Sequence, residues 1–500
     1  MRVFFLLSIF ISCLYGGVSA QTNLDFEQGL AGWKISGKVS PDGKNPHSGS
    51  VCARITEGSI FKRLPVSPLA VVQFECYIKS EPKGITGYSF IRFYNAKHQK
   101  LLEYKSKALD SVAWQQTGNY IESPALSSYM EIGIEKDPSA NGDIYADDFS
   151  IEPNVGEPKI KHSPEVDLNR YMRPFWHSDT IWNETVLLYS ADGKPADGRL
   201  FYMPDHIISV RSFDLKNTYT EGKDYTLSGN TITRTANSAM PYRADTSFDL
   251  KKDLNWYNTQ SQWVVITYTH HDKWGGPVPF FKGNQLPLTM AKLRAKKPLR
   301  IAAYGMSITR GMDVSSYDTV PPYMPTYVDL FAWQLRRTYH DSAVKMYNAG
   351  LPGSRVDWGA QYAEQYINPL KPDLLIIDFG MNDFWALKPE QFKTYIETIM
   401  RKVRKANPGV EFILLSNMKF DPTYVLDSDK YKPFYTGNLE GYSHVLKQME
   451  TKGVVNLDMY AISSFLYDHK KPKDCIVNPM HPNDYLARWY AQGLSALLIK

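Results

Sequence analysis

The sequence predicts a multi-domain protein in which two β-sandwich domains precede an α/β domain with a parallel sheet. Up to about residue 295, short apolar runs are separated by clusters of Pro, Gly, Ser and Asn, and few helical periods compete with them. From Leu299 onward, strand-like runs alternate with helical stretches, which is typical of a parallel sheet covered by helices. We expect domains at residues 21–154, 155–295 and 296–500, after a processed segment at residues 1–20.

Composition excludes several classes of protein. The chain has 500 residues, of which 43% are hydrophobic and 22% charged, so it is neither disordered nor a collagen-like rod. Lys and Arg total 57 and Asp and Glu total 52. A net charge of +5 over so long a chain argues against a protein that binds nucleic acid. The 33 Tyr and 11 Trp residues are typical of β domains and of proteins that stack on sugar rings.

The first twenty residues have the pattern of a secretory signal peptide. Arg2 supplies the positive start, Val3–Leu14 is almost wholly apolar, and small residues at 18–20 permit cleavage after them. Cys13 leaves lipoprotein anchoring as the alternative, although Phe10 stands where such signals favour an aliphatic residue. We expect a secreted or periplasmic protein without a transmembrane segment, because no later apolar run approaches the ~18 residues that a membrane helix needs.

Three cysteines follow this segment, Cys52, Cys76 and Cys475, too few for a disulfide framework. Cys76 alternates in phase with its apolar neighbours and is predicted to point inward, whereas Cys52 shares a face with Arg54. A disulfide between Cys52 and Cys76 is therefore disfavoured, and packed cores must supply the stability.

Residues 21–154 are predicted to form a β domain. Its candidate strands are Val51–Ile55, Val71–Lys79, Tyr88–Asn95 and Ile144–Glu152. The segment opens with Asn23-Leu24-Asp25-Phe26-Glu27 followed by Gly32-Trp33, and it closes with Ile144-Tyr145-Ala146-Asp147-Asp148-Phe149. In these blocks it resembles the jelly-roll carbohydrate-binding modules, in which the first and last strands lie side by side. The resemblance implies that this domain binds a glycan.

The same resemblance suggests ligands within the domain. An acidic pair from its two ends can hold a structural calcium ion in such modules, and Glu27 and Asp148 would be that pair here; solvated strand-end carboxylates are the alternative. Candidates for stacking on sugar rings, or for filling the core instead, are Trp33, Tyr88, Phe93 and Tyr94.

Residues 155–295 carry further strand-like runs and predict a second β-sandwich. These runs are Thr185–Tyr189, Ile207–Arg211 and Trp263–Thr269. His270, His271 and Asp272 follow the last run, but adjacent residues of an extended segment point to opposite faces, so we interpret them as surface or loop residues and not as metal ligands. The basic stretch Lys292–Pro298 is the predicted connection to the next domain.

The remaining residues predict alternating strands and helices. The candidate strands are Leu299–Tyr304, Ala343–Tyr347, Asp373–Phe379, Glu411–Ser416 and Val454–Asp458, and the candidate helices are Tyr327–Tyr339, Pro389–Ala406, Leu439–Thr451 and Asn483–Leu498. Loops after the carboxyl ends of parallel strands are where chemistry is usually placed.

Four such loops carry polar motifs. In chain order they are Gly305-Met306-Ser307-Ile308-Thr309, Asn348-Ala349-Gly350-Leu351-Pro352-Gly353, Gly380-Met381-Asn382-Asp383 and Asn478-Pro479-Met480-His481-Pro482-Asn483-Asp484. In their order and context these blocks resemble the SGNH hydrolases, also called GDSL-like esterases, over residues 299 to 500. The resemblance implies a flavodoxin-like three-layer fold, and the subtype is similar to secreted bacterial esterases that act on plant-type polysaccharides.

Acyl transfer requires a nucleophile, a base within hydrogen-bond reach and donors for the oxygen that becomes negative. Ser307 lies at a strand-to-loop turn, and His481 is the suitable base because imidazole titrates near neutral pH. By resemblance, the backbone N–H groups of Ser307 and Gly353 and the side-chain amide of Asn382 form the oxyanion hole. We expect no catalytic cofactor, because no set of metal ligands accompanies these blocks.

Two residues depart from the family's pattern. Met306 stands where the first block usually has an Asp that braces the nucleophile loop. Asn478 stands where the family has an Asp three residues before the histidine, and an amide oxygen can orient the imidazole without supplying a full negative charge. We expect a Ser-His dyad with Asn478 or a backbone carbonyl as the orienting group, and Asp474 and Asp484 as possible substitutes.

The leading hypothesis is a secreted serine esterase that removes acetyl or other small acyl groups from a plant-type polysaccharide through an acyl-Ser307 intermediate. A lipase or phospholipid esterase is the alternative within enzymology, because the same groups hydrolyse any accessible ester. A non-catalytic glycan-binding protein with a degenerate hydrolase domain is the alternative from another class. The expected partner is an acylated polysaccharide or oligosaccharide, not nucleic acid.

Overall fold

The computed structural model describes residues 23–66, 70–106, 111–124, 126–138, 141–153, 162–190, 193–244, 260–318, 320–340, 343–421 and 437–500. The predicted signal peptide lies outside the described residues. The chain divides into two compact units, Met1–Glu157 and Pro158–Lys500. The predicted second β region and the predicted hydrolase domain therefore fall within one compact unit. Within the described ranges, no helix has the length and apolarity needed to cross a bilayer.

The first unit is a β-sandwich-like arrangement of antiparallel strands. Strands β1 to β8 are Lys34–Asp42, Cys52–Pro65, Val71–Glu81, Gly87–Tyr94, Lys100–Lys105, Gln115–Glu122, Tyr129–Lys136 and Asp143–Pro153. The hydrogen-bonded order is β5-β4-β7-β2-β8-β3-β6, and β1 pairs with β2. The opening segment lies beside the closing strand, because the Phe149 N–H donates to the Leu24 carbonyl over 3.0 Å.

Aromatic and branched side chains fill the interior of this unit. Trp33 stacks on Phe26 with ring centroids 4.7 Å apart and packs on Phe149 at 4.8 Å. The Trp33 indole N–H donates to the Asn23 carbonyl over 2.8 Å, which satisfies its polar atom in the core. Phe93 is also fully buried. Trp33 and Phe93 are therefore core residues, and of the stacking candidates only Tyr88 and Tyr94 reach the surface, each half-buried.

The three described cysteines are free and buried. Cys76 points inward as predicted, and Cys52, which was predicted to share a face with Arg54, is also fully buried. Cys52 lies near Asp42, Lys79 and Asp147, on the outer side of its strand, and burial raises the pKa of its thiol to about 12. In the segment after β1, Asn45 Oδ1 accepts from Lys79 Nζ over 3.1 Å. The alternation of residues along the strand therefore does not by itself predict that Cys52 is buried.

The second unit begins with a short helix and two antiparallel sheets. Helix α1 is Leu168–Tyr171, and strands β9 to β15 are Thr180–Leu187, Asp197–Arg199, His206–Ser212, Thr218–Tyr219, Tyr225–Ser228, Thr231–Arg234 and Trp263–Thr269. The sheets have the orders β12-β11-β15-β9 and β10-β14-β13. These antiparallel sheets confirm the predicted β-sandwich-like character of this region.

A five-stranded parallel sheet with helices follows. Strands β16 to β20 are Leu299–Gly305, Val344–Gly350, Leu374–Asp378, Glu411–Ser416 and Val454–Asp458, and a hairpin of β21 and β22 covers Ile476–Asn478 and His481–Pro482. Helices α2 to α9 are Pro287–Arg294, Ser307–Arg310, Tyr327–Thr338, Val356–Tyr366, Pro389–Ala406, Gly437–Gln448, Met459–His469 and Asp484–Leu498. The strand order β17-β16-β18-β19-β20 is the flavodoxin-like order 2-1-3-4-5, as predicted.

The register of the sheet brings three loops to one edge. Gly305, the last residue of β16, pairs with Gly350 at the end of β17 and with Asp378 at the end of β18. Because parallel strands end at the same edge, the residues that follow each of these positions lie close together. The first two sequence motifs begin within the last residues of β16 and β17, and the third follows β18.

A buried charge cluster joins the antiparallel region to the parallel sheet. Lys470, after α8, lies 2.6 Å from Glu184 of β9 and 3.2 Å from Asp474, and all three side chains are almost completely inaccessible. Glu184 also accepts hydrogen bonds from the Tyr268 hydroxyl and the Phe201 N–H. Buried charges need this degree of pairing, so the two regions depend on each other for stability.

Candidate active site

The strand-to-helix turn after β16 presents Ser307. Met306 has an extended backbone, α3 begins at Ser307, and Gly311 ends this single turn with φ +87°. Ser307 is 6% exposed, and its Oγ lies 2.7 Å from His481 Nε2. The predicted nucleophile and the predicted base are thus brought into hydrogen-bond contact.

The other imidazole nitrogen of His481 faces Asp313. Nδ1 lies 2.5 Å from Asp313 Oδ2, and both side chains are at most 5% exposed. A carboxylate beside Nδ1 fixes the tautomer in which Nδ1–H donates to Asp313 and Nε2 accepts the Ser307 hydroxyl proton. Ser307, His481 and Asp313 therefore form a continuous Ser-His-Asp series. Asp313 supplies the full negative charge that the neutral Asn478 cannot supply.

Asn478 contacts this series differently from the prediction. Its Oδ1 accepts the backbone N–H groups of Met480 and His481, so it is not available to orient the imidazole. Its Nδ2 donates to Asp313 Oδ2 over 2.8 Å and lies 3.1 Å from His481 Nδ1, because both nitrogens converge on the same oxygen. The expected dyad oriented by Asn478 is thus replaced by a triad whose acid Asn478 supports.

The two suggested substitutes for the acid lie elsewhere. Asp474 accepts the Leu187 N–H over 2.8 Å and faces Lys470. Asp484 accepts from the N–H and the hydroxyl of Ser315, and burial raises the pKa of Asp484 to about 6. Neither carboxyl binds His481, because Asp474 binds the end of β9 and Asp484 binds the loop at Ser315.

Sequence reasoning missed Asp313. This residue lies six positions after Ser307 in an irregular loop, has φ +67° and belongs to no recognised motif. The sequence did contain a signal for another catalytic acid. The acid expected before His481 is absent, and Asp313 stands in a loop at the edge of the predicted sheet that carries the motifs. Which of several loop carboxylates reaches the imidazole depends on the path of that loop.

The proposed oxyanion-hole residues are tied to the nucleophile turn. Leu351 N–H and Ser354 Oγ both donate to the Gly305 carbonyl over 3.0 Å, and Asn382 Nδ2 donates to the Ser354 carbonyl over 2.9 Å. An amide has two N–H donors, so Asn382 keeps one for a ligand. Gly353 has φ +77° with nothing within 4 Å of an added Cβ, so backbone conformation and not space requires glycine there.

Thr309 and Asp378 brace the nucleophile turn in the absence of the family's aspartate. Thr309 Oγ1 accepts the Met306 N–H over 3.0 Å and donates to Asp378 Oδ2 over 2.7 Å. Asp378 also accepts from the Tyr327 hydroxyl, over 2.7 Å, and from Asn417 Nδ2. Burial raises the pKa of Asp378 to about 6. Met306 itself is fully buried.

Residues after Asn382 divide between core and surface. Asp383 Oδ1 accepts the Val356 N–H over 2.9 Å at the start of α5, and burial raises the pKa of Asp383 to about 7. Phe384 is buried against Phe420, whereas Trp385 is 39% exposed. An exposed indole thus lies three residues after a predicted oxyanion donor.

The carboxylates predicted to hold calcium contact the loop at residues 47–51. Glu27 Oε1 accepts the N–H groups of Ser50 and Val51, and Asp148 lies 2.6 Å from His47 Nδ1 and accepts the Ser48 hydroxyl. In this arrangement protein donors occupy carboxylate oxygens that a calcium ion would bind. Calcium at Glu27 and Asp148 stays a prediction.

Within the part of the chain that the structure describes, no group of three or more His, Cys, Asp or Glu side chains could hold a metal ion. His270 lies in the loop after β15, within the predicted choice of surface or loop, but it is 3% exposed and stacks on Tyr202 with ring centroids 4.0 Å apart. His271 is exposed, as predicted.

Several solved structures are similar to parts of the chain. A two-domain esterase active on acetylated mannans, co-crystallised with mannopentaose, is 21% identical over 44% of this chain and 53% of its own, with a TM-score of 0.35. The chain thus spans about half the length of that esterase. A variant of an acetyl-xylooligosaccharide esterase from Geobacillus Stearmophilus is 19% identical over 39% of this chain and 94% of its own, with a TM-score of 0.32.

The first unit also has a similar solved structure. A family 16 carbohydrate-binding module is 17% identical over 26% of this chain and 96% of its own, with a TM-score of 0.24. No curated protein matches the chain. Residues 303–488, which contain the whole Ser307–His481–Asp313 series, match the model of the GDSL-like Lipase/Acylhydrolase family. The C-terminal part of this chain is therefore a GDSL-like hydrolase domain.

Proposed function

We propose that the protein is a serine esterase that removes acetyl or other small acyl groups from a plant-type polysaccharide. The observation that carries the proposal is the buried Ser307–His481–Asp313 series, with 2.7 Å and 2.5 Å between successive partners. A serine hydroxyl becomes an effective nucleophile only beside an oriented base, and this arrangement supplies both the base and its orientation.

The reaction follows from the positions of these groups. Ser307 Oγ attacks the carbonyl carbon of the ester while His481 Nε2 takes the hydroxyl proton, and Asp313 stabilises the imidazolium that forms. The developing oxyanion would face the N–H groups of Ser307 and Gly353 and the free N–H of Asn382. Collapse breaks the bond to the sugar oxygen, which takes the proton from His481. Water, deprotonated by the same imidazole, then releases the acyl group, so no step needs a cofactor.

Exposed aromatic residues support a carbohydrate substrate. Trp385 offers an exposed indole three residues after the predicted oxyanion donor Asn382, and indole faces stack readily on sugar rings. In the first unit, His47 stacks on the half-buried Tyr77 with centroids 3.7 Å apart, and Trp114 meets the same imidazole edge-on. Such a cluster on an outer face suits glycan binding. Export of the chain belongs to the proposal and rests on the sequence of residues 1–20 alone.

The test is to incubate the purified protein with a panel of acetylated plant polymers and to quantify released acetate. We expect release from at least one polymer and a loss of at least about 10⁴-fold in turnover for Ser307→Ala. Ser36→Ala, at an exposed position of the first unit, serves as the control and keeps full activity. An unchanged rate in Ser307→Ala would remove the enzyme hypothesis.

The same panel separates the alternatives. Preferred hydrolysis of triacylglycerol or phospholipid esters over acetylated polymers would favour a lipase. Glycan retention without hydrolysis of any ester would favour a non-catalytic binding protein. The complete triad supports the catalytic alternative, because a degenerate domain has no reason to retain an oriented acid beside the imidazole.

A further inference from the structure

The antiparallel region before the hydrolase domain reaches the loop that carries the catalytic acid. Gln260, three residues before β15, is 4% exposed. Its Nε2 donates to the Asp313 backbone carbonyl over 3.0 Å and to Asp318 Oδ2 over 2.9 Å. One amide from outside the matched family region thus binds two points of the same loop.

Asp313 needs such support because its backbone is strained. A φ of +67° lies in the left-handed region, which residues other than glycine occupy at a cost and hold only when their surroundings enforce it. Asn478 and His481 bind the Asp313 carboxylate, and Asp484 binds the loop further on at Ser315. Gln260 binds the peptide carbonyl of Asp313 itself, next to the strained torsion.

We infer that Gln260 is a positioning residue for catalysis, which holds the Asp313 loop so that the carboxylate meets His481 Nδ1. This inference rests on the proposed function. It follows that the antiparallel region completes the active site of the hydrolase domain. Loss of the amide leaves a buried carbonyl and a buried carboxylate each short of a donor, and the loop can relax toward ordinary torsions.

Gln260→Met tests this inference, since methionine retains much of the side-chain volume and removes both hydrogen bonds. On a small acetyl ester we expect kcat to fall roughly 10- to 100-fold, because small displacements of catalytic groups have effects of this size. We expect KM to stay within about twofold, since Gln260 binds the Asp313 carbonyl and Asp318, and neither group is proposed to contact the ester. Gln260→Ala replaces the variant if methionine prevents folding.

Coupling to Asp313 distinguishes positioning from general destabilisation. In an Asp313→Asn background, Gln260→Met should lower kcat by less than about twofold, because the group that it positions is already gone. An equal loss in both backgrounds would overturn the inference.

Gln492→Met is the matched control. Gln492 is also 4% exposed, and it joins α9 to the start of the second unit through the Tyr171 carbonyl and the Phe175 N–H, over 2.9 Å and 3.2 Å. It contacts neither Asp313 nor its loop partners named above. Gln492→Met should lower the melting temperature without changing kcat, and a fall in kcat equal to that of Gln260→Met would overturn the inference.

A proton NMR measurement separates this inference from the proposed function. A histidine N–H bound to a carboxylate gives a strongly deshielded resonance, which we expect in the wild-type protein and expect to be absent in His481→Gln. It should move upfield in Gln260→Met, and an unchanged resonance would overturn the inference. If the wild-type protein hydrolyses no ester, the proposed function fails, while this resonance still tests the position of Asp313.

Discussion

Two nitrogen donors meet on one carboxylate oxygen of the active site. Asp313 Oδ2 accepts from His481 Nδ1 and from Asn478 Nδ2, at 2.5 Å and 2.8 Å. The amide at position 478 is therefore suited to its surroundings as a neutral donor. A carboxylate at the same place would meet the Asp313 carboxylate directly.

Asn478→Asp, which restores the residue that the family usually has there, should impair the enzyme. Two unit charges at about 4 Å repel by about 4 kcal/mol at an effective dielectric constant of 20, so one carboxyl stays protonated or Asp313 moves. We expect kcat/KM at neutral pH to fall roughly tenfold or more, measured on a small acetyl ester.

Asn478→Ala is the comparison, because it removes the donor without adding a charge. Its kcat/KM should lie between those of the wild type and Asn478→Asp. An increase in activity for Asn478→Asp would show that position 478, and not Asp313, orients His481.

Asp383 makes the free energy of unfolding depend on pH. Its Oδ1 accepts the Val356 N–H, while its buried Oδ2 has no hydrogen-bond partner among the described residues, and burial raises its pKa to about 7. The folded carboxyl retains its proton up to about pH 7, whereas the unfolded carboxyl loses it near the ordinary value of 3.8. The folded state binds more protons in this window, so its free energy of unfolding falls as pH rises from about 4 to 7.

Asp383→Asn should reduce this decline, because an amide does not titrate. The measurement is the free energy of unfolding by urea at pH 4, 5.5 and 7. Part of the decline should persist, since the pKa values of Asp378 and Asp484 are also raised to about 6. Asp205→Asn, at an exposed position, should leave the decline unchanged. A steeper decline in Asp383→Asn would contradict the assignment.

Among the elements, the turn between β16 and α3 depends on a single hydroxyl. Thr309 is fully buried, and its Oγ1 links the Met306 N–H to Asp378. Thr309→Val keeps the shape, leaves the buried Met306 N–H without this acceptor and removes one of the donors to Asp378, so the free energy of unfolding should fall by about 1–3 kcal/mol. Turnover should fall as well, since this turn presents Ser307. Chemical denaturation and ester hydrolysis measure the two effects.

Two variants control for Thr309→Val. Thr309→Ser keeps the hydroxyl and should retain most of the stability and turnover. Thr289→Val removes an equally buried hydroxyl that has no partner in the described part of the chain, so it should not lower the free energy of unfolding. A similar loss in both valine variants would show that the hydroxyl link contributes nothing.

The order of elements could be predicted because apolar runs determine it. All but one of the five parallel strands coincide with strongly apolar runs, and the polar motifs singled out Ser307 and His481, which lie 2.7 Å apart. The acid could not be predicted in this way, because the path of the loop around Asp313 depends on Gln260, which lies 53 residues earlier. Cys52 shows the same limit, since it alternates with apolar neighbours on its strand and is nonetheless fully buried.

At the scale of the whole molecule, we propose that the first compact unit binds the polysaccharide and that the second hydrolyses its esters. If the first unit tethers the enzyme to its substrate, a chain of residues 158–500 should hydrolyse a small soluble ester as fast as the full chain. It should release acetate from a polysaccharide more slowly, roughly tenfold or more at low substrate concentration, because tethering raises the local concentration. An equal loss on both substrates would contradict tethering.

The buried ion pairs of Lys470 limit which segment of this chain can be transferred to another protein. The Lys470 ammonium group pairs with Asp474 of the hydrolase domain. It also pairs with Glu184 of the antiparallel region. A chimaera that grafts residues 299–500 onto a foreign scaffold would leave a buried cation short of one partner, and breaking a buried pair in this way costs about 3–5 kcal/mol. A designer should therefore carry residues 162–500 as one cassette or replace the lysine, its two carboxylates and Gln260 together.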